Sequence, residues 1–86
     1  MPEYRIVIAT SAAREFRALP AAVQARVRKA VDALATNPRP RGTVKIRGEA
    51  DLFRIRVGDY RVIFHVYDTE NMVDITHIRH RRDAYE

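Results

Sequence analysis

The chain contains no cysteine. That excludes a disulfide framework and a thiolate nucleophile, and it is what a protein of the reducing cytoplasm is expected to show. No stretch approaches the roughly 20 consecutive apolar residues of a membrane helix. The opening MPEYRIVIA carries an arginine inside its short apolar run, which argues against a secretory signal peptide. Internal repeats, low-complexity tracts and linkers are missing. So are a G-x-S-x-G elbow, a glycine-rich phosphate loop and a paired-carboxylate signature. The histidines number three, and His77 and His80 have no metal-ligand pattern around them, so no metal or other cofactor is expected. With 86 residues, residues 1–86 are read as one domain with a modest core.

What is abundant is positive charge. Sixteen lysines and arginines face eleven aspartates and glutamates, a net charge of +5. Such a balance in a small domain suits a polyanionic partner, although net charge alone is a weak guide. Hydrophobic residues make up 47% of the chain, enough for a folded globule.

The patterns alternate between two periods. Residues 4–9 (YRIVIA) read as a short β-branched strand. Thr10 and Ser11 are good helix N-caps. Residues 12–19 follow as a short helix with Ala12, Phe16 and Leu19 on one face. Pro20 ends it and suits the first turn of a second helix, which runs to about Thr36. Val23, Val27, Ala30, Val31 and Leu34 form its apolar stripe. Asn37-Pro38 stops it. After the basic loop 39–42 (RPRG) the period changes to two. Strands are expected at 44–47, 52–57, 60–67 and 72–79, with turns at 48–51, 58–59 and 68–71. The order β-α-α-β-β-β-β predicts an α+β fold, two helices on one face of a mostly antiparallel sheet.

The hairpin at 52–67 sorts its charges. A two-residue type II′ turn at Gly58-Asp59 sets Val57 opposite Tyr60, Arg56 opposite Arg61 and Phe53 opposite Phe64. One face then holds Phe53, Ile55, Val57, Tyr60, Val62, Phe64 and Val66, for the helices to cover. The other holds Arg54, Arg56 and Arg61, with Ile63, His65 and Tyr67 further along. Like charges directly opposite destabilise a sheet by a few tenths to about 1 kcal/mol. A local cost of this kind marks a surface whose partner is an anion, and arginine is the side chain that grips phosphate with two parallel hydrogen bonds. The competing reading is a solvated face whose arginines pair with Asp74 or Glu49. Arg79, Arg81 and Arg82 cluster around His80, on a tail that can reach the arginine face, and Lys45 and Arg47 extend the patch. Tyr85 suits stacking on an unpaired base. His77 is expected on the apolar face in a structural role. His65 is a weak acid–base candidate on the basic face.

The segments KIRG, LFRIRVGDYRVIF and HIRHRRDAY resemble the RelE/ParE toxin superfamily over nearly the whole chain. The most specific parts are the G-x-Y-R-hydrophobic hairpin at 58–64 and the closing H-R-R-x-x-Y at 80–85. The resemblance implies a microbial-RNase-like fold paired with a small antitoxin in a hetero-oligomer, with an acidic antitoxin segment laid across the sheet or the helices. Its RelE-like branch enters the ribosomal A site and cuts mRNA there. Its ParE-like branch poisons DNA gyrase and lacks the catalytic set. Carried over by position, the catalytic residues fall on Arg54, Arg56, Arg61, Arg81 and Tyr85, and RNA-contacting residues on Lys45, Arg47, Arg79, His80 and Arg82. This filled set favours the RelE-like branch, a ribosome-dependent endoribonuclease. The runner-up is a gyrase-inhibiting toxin, and a third reading is a basic toxin-fold protein with little activity. The pre-turn pair is typically lysine in RelE-type members and is arginine here. Arginine keeps its proton and makes a poor general base, which leaves Tyr85, His80 and His65, in that order, as candidates for the proton.

Overall fold

The computed structural model describes residues 3–82. Its elements run β1 (Arg5–Ile8), α1 (Thr10–Arg17), α2 (Ala21–Ala33), β2 (Val44–Lys45), β3 (Leu52–Val57), β4 (Tyr60–Tyr67) and β5 (Met72–His80). The expected order and α+β class hold. The strands form one sheet in the order β1-β5-β4-β3-β2. β1 lies parallel to β5 and every other pair is antiparallel.

The β3–β4 register is the one the alternation predicts: Val57 opposite Tyr60, Arg56 opposite Arg61, Phe53 opposite Phe64. Gly58 has φ +62° while Asp59 stays out of the positive region, the pattern of a II′ turn. The positive φ favours glycine there. A Cβ at Gly58 would also sit 3.2 Å from the guanidinium nitrogens of Arg26, which lies across the turn from α2.

The two helices and one face of the sheet share a core of Ala12, Val27, Val31, Leu34, Ile55, Val62, Phe64, Val66, Val73, Ile75 and Ile78. Phe64 is fully buried, as the register requires, and Phe53 packs at the margin. The helix boundaries differ from expectation. α1 begins at Thr10 with Ala9 at the N-cap and no side-chain cap. Ser11 instead donates its hydroxyl to the Thr76 carbonyl at 2.7 Å. The end of α1 is satisfied from α2, where the Gln24 amide donates to the Phe16 and Leu19 carbonyls. Pro20 sits at the N-cap of α2, and the helix ends at Ala33. The β2 strand is only two residues, because Arg47 already belongs to a turn.

A second departure matters more. Between β4 and β5 the register shifts: Ile63 pairs with His77, but Phe64 pairs with Ile75. Thr76 is the extra residue of a β-bulge, and its hydroxyl donates to the Ile63 carbonyl. A one-residue bulge exchanges the faces of every side chain beyond it. His77 therefore lies on the arginine face, not the apolar face that simple alternation predicts.

α1 also closes an open edge. β1 pairs with β5 only as far as Ile75, so the rest of that β5 edge faces α1. Ser11 takes the Thr76 carbonyl. Glu15, one turn on, accepts the Ile78 N–H at 2.8 Å. Two side chains four residues apart on one helix face thus complete the ladder that β1 leaves unfinished. Among the described residues no helix is long and apolar enough to cross a membrane.

Candidate functional site

The uncovered face of the sheet is organised in rows across the strands. Arg56, Arg61 and Arg79 stand opposite one another on β3, β4 and β5. The neighbouring row holds Arg54, Ile63 and His77. The next holds Leu52, His65 and Asp74. Arg56 is exposed, while Arg54, Arg61 and Arg79 are half-buried. The Nε atoms of Arg54 and Arg61 are buried, so their stems lie along the sheet and are restrained where a free surface arginine would not be.

Arg81 reaches the same place by another route. Its backbone N–H donates to the Asp59 carbonyl at 2.8 Å, which clips the strand exit onto the hairpin turn. Arg56, Gly58, Asp59, Tyr60, Arg61 and Arg81 then line a small cleft of about 40 Å³. The cleft has arginine on three sides and a volume on the scale of a small anionic group. Three positive side chains around one small space attract phosphate strongly and have little use for one another.

Not every expected residue joins this face. Lys45 pairs with Phe53 and so belongs to the helix side at the sheet edge, while Val44 is the residue beside Arg54. Arg47 is exposed in the 47–50 turn, one strand removed from the arginine row. His80 pairs with Tyr60 and meets its ring edge-on at 5.2 Å, on the opposite side of the sheet from Arg61. The bulge is again the cause. Arg82 is exposed, and its N–H donates to His80 Nδ1. His65 stacks on Tyr67 at 5.4 Å and stands across from Asp74, two rows from the arginines. Tyr85 falls outside the described residues.

Three features escape the sequence reading. The first is that Arg79 stands in line with Arg56 and Arg61. The second is that a carboxylate does approach the face. Glu15 accepts from Arg79 Nε at 3.3 Å, and its Oε1 lies 3.4 Å from His77 Nδ1, close enough for attraction but not aligned as a hydrogen bond. The third is that Asp74, one of the two acidic partners named in the competing reading, stands across from His65. The one usable hint was the Ser11-Glu15 spacing on α1, which places two polar groups beside a helix face that is otherwise apolar.

An arginine away from this face is held by a carboxylate of the fold in a two-pronged contact. Arg39, from the basic loop, forms a two-pronged pair with Asp68, with Nη1 and Nη2 at 3.2 and 2.8 Å from its two oxygens. The Tyr4 hydroxyl donates to the same carboxylate at 2.7 Å. The Arg39 hydrogen bond, followed by that of Tyr4, holds the Asp68 carboxyl below its ordinary value, and the same carboxylate raises the Tyr4 phenol. Arg39 also lies over the Phe53 ring at 5.0 Å. This cluster is a clamp that joins the loop, the residue just before β1 and the β4–β5 turn.

The described residues include no group of three or more histidines, aspartates or glutamates placed to hold a metal ion. The arrangement is a positively charged surface built on paired strands. Comparison with known proteins decides its lineage. The family model described as the ParE toxin of the type II toxin-antitoxin system, parDE, matches residues 6–85. The chain belongs to the RelE/ParE superfamily of toxins. The toxin is 32% identical over 83 residues to the Toxin RelE of Mycobacterium tuberculosis, an alignment covering 95% of this chain and 86% of that protein. Among solved structures, it matches the archaeal RelE–RelB complex of Pyrococcus horikoshii with a TM-score of 0.83 and 32% identity, covering 98% of this chain and all of that one. A RelE-type toxin–antitoxin complex of Mycobacterium tuberculosis matches with a TM-score of 0.81 and 30% identity, over 92% and 99% of the two chains. The toxin is thus a RelE-like member of a type II toxin-antitoxin system.

Proposed function

We propose that the toxin is a ribosome-dependent endoribonuclease that cuts mRNA in the ribosomal A site and so halts translation in the cytoplasm. The observation that carries this reading is the row Arg56–Arg61–Arg79 with Arg81 at its end. The chemistry asks for little else. A ribose 2′-hydroxyl attacks the adjacent phosphate, leaving a cyclic phosphate and a free 5′-hydroxyl. The protein must align the two groups, neutralise the charge that builds on phosphorus, and move two protons. Arginines held on paired strands supply the charge without reorganising, which is where such stabilisation is worth most. Arg61 is the central member. It sits mid-sheet between Arg56 and Arg79, and Arg54 flanks it one row away. Arg79 is assigned here to the catalytic group rather than to general RNA contact, because it shares the row. Tyr85 keeps the base-stacking or proton-transfer role expected from the sequence.

The partner in the resting state is an antitoxin, in keeping with the relatives' complexes with RelB, and the toxin's own positive charge calls for an acidic binding segment. A toxin of charge +5 should associate with it rapidly and in a salt-sensitive way. A second reading draws on the ParE family match: a toxin that inhibits DNA gyrase by contact and cuts nothing. Mapping mRNA ends in a translation extract, beside a gyrase supercoiling assay, separates the two. Cuts at A-site codons support the endoribonuclease. Inhibited supercoiling without cuts replaces it.

A further inference from the structure

Arginine charge alone leaves the 2′-hydroxyl proton without an acceptor. The Thr76 bulge supplies a candidate that simple alternation hides. It turns His77 onto the arginine face, opposite Ile63 and beside the Arg56–Arg61–Arg79 row. Arg79 stands two residue steps beyond His77 along β5, about 7 Å, which is the span of one nucleotide's ribose and phosphate. His80 points to the other face, and His65 lies a full row further away, stacked on Tyr67. His77 is thus the described histidine nearest the row on the side a substrate approaches.

Its surroundings suit the task. Nδ1 is buried and faces Glu15 Oε1 at 3.4 Å, while a third of the side chain is exposed. With one ring nitrogen turned inward to a carboxylate, the other is left to meet a ligand. Glu15 is itself pinned. It accepts the Ile78 N–H at 2.8 Å and Arg79 Nε at 3.3 Å, so it cannot swing away from the ring cheaply. The charged and titratable groups around His77 are Glu15 from α1, Arg79 and Asp74 on its own strand, Arg61 and His65 from β4, and Arg54 from β3. A carboxylate close to the inward nitrogen of a histidine, beside a cluster of arginines, favours the orientation that a general base needs.

We propose that His77, oriented by Glu15, accepts the proton of the attacking 2′-hydroxyl, with Glu15 acting as a positioning residue. This rests on the RNA-cleaving reading above. The balance is simple. The 2′-oxygen gives its proton to Nε2 and bonds to phosphorus. The bond from phosphorus to the 5′-oxygen breaks, and that oxygen takes a proton from water. The imidazolium then returns its proton to solvent, so nothing is consumed.

The test is single-turnover mRNA cleavage on programmed ribosomes by the wild type, H77Q, H77A and E15Q, each also followed by thermal melting. H77Q and H77A should cleave about 100-fold more slowly or worse, the usual contribution of a general base, with melting midpoints near the wild type for H77Q. The wild-type rate should fall on the acid side as the imidazole takes up its proton. That limb should be missing in H77A, and added imidazole should restore part of its rate. E15Q retains an acceptor for the Ile78 N–H and should lose about tenfold, less than the loss of the base itself. Cleavage by H77Q at the wild-type rate overturns the inference while leaving the endoribonuclease standing. A slow H77A that imidazole does not rescue, with its acid limb intact, also overturns it. A wild type that cuts no mRNA removes both.

Discussion

The two faces of the sheet are made from alternate residues of the same strands, yet their charges are handled in opposite ways. On the helix side, Ile55, Val62, Phe64, Val66, Val73 and Ile75 are buried against Val27, Val31 and Leu34, and nothing polar among the described residues is buried with them. On the open side, arginines from three adjacent strands stand in one row. The first face is optimised for stability: it removes apolar area from water. The second accepts a local repulsion that a stability-driven sequence would have avoided. Contrast with Arg39 makes the point sharper. That arginine is held inside the fold by Asp68 and Tyr4, whereas Arg56 and Arg61 of the row, together with Arg81, line a cleft on the scale of a small anion. A face that costs stability is retained for something outside the protein.

The largest expected effect lies on the apolar face. Phe64→Ala should cost roughly 3–5 kcal/mol, a large part of the stability of so small a domain. Chemical denaturation measures it. A loss below about 1 kcal/mol would mean the site collapses around the deletion, and the contrast between the faces would be weaker than drawn.

On the other face the sign should reverse. Arg61→Ala should leave the melting temperature unchanged or slightly higher, since a like-charge contact disappears. Cleavage should slow by about 100- to 1,000-fold, equivalent to roughly 2.7–4 kcal/mol of transition-state stabilisation. Full activity in this variant would remove Arg61 from the site.

Glu15 stands between the two cases, since it serves both the fold and the face. Glu15→Ala should destabilise by about 1–3 kcal/mol, because the Ile78 N–H loses its acceptor. Glu15→Gln should recover most of that, and hydrogen exchange at Ile78 reads the difference directly. Equal protection in the two variants would show that water replaces the carboxylate without cost.

The smallest effect belongs to Asp68. Its carboxyl is held below the ordinary 3.8 by Arg39 first and Tyr4 second. A carboxylate with a depressed folded-state value contributes stability above its unfolded value and loses it as pH falls through the folded one. The melting temperatures of wild type and Asp68→Asn should therefore differ slightly near neutrality and converge in acid. The pair is exposed, so salt should shrink the difference too. A gap that persists in strong acid would place the clamp's contribution in packing rather than charge.

Much of this could be read along the chain. Alternation in LFRIRV and YRVIFHVY, joined by Gly58-Asp59, specifies register and both faces, because side-chain period and turn length are local properties of the backbone. The arginine face, the core position of Phe64 and the element order follow from it. The helix ends were less legible, since Ser11 had a better use than capping: the carbonyl of a residue 65 positions away. Strand β5 was legible only up to Ile75. Nothing in MVDITHIRH announces a bulge at Thr76. It arises where β4 pairs on one side of β5 while α1, with Ser11 and Glu15, takes over from β1 on the other. That one residue exchanges the faces of His77 and His80 and sets Arg79 in line with Arg61. Alternation belongs to a single strand and is written in its residues. The place where it breaks belongs to three neighbouring elements at once, and exists only when they are packed together.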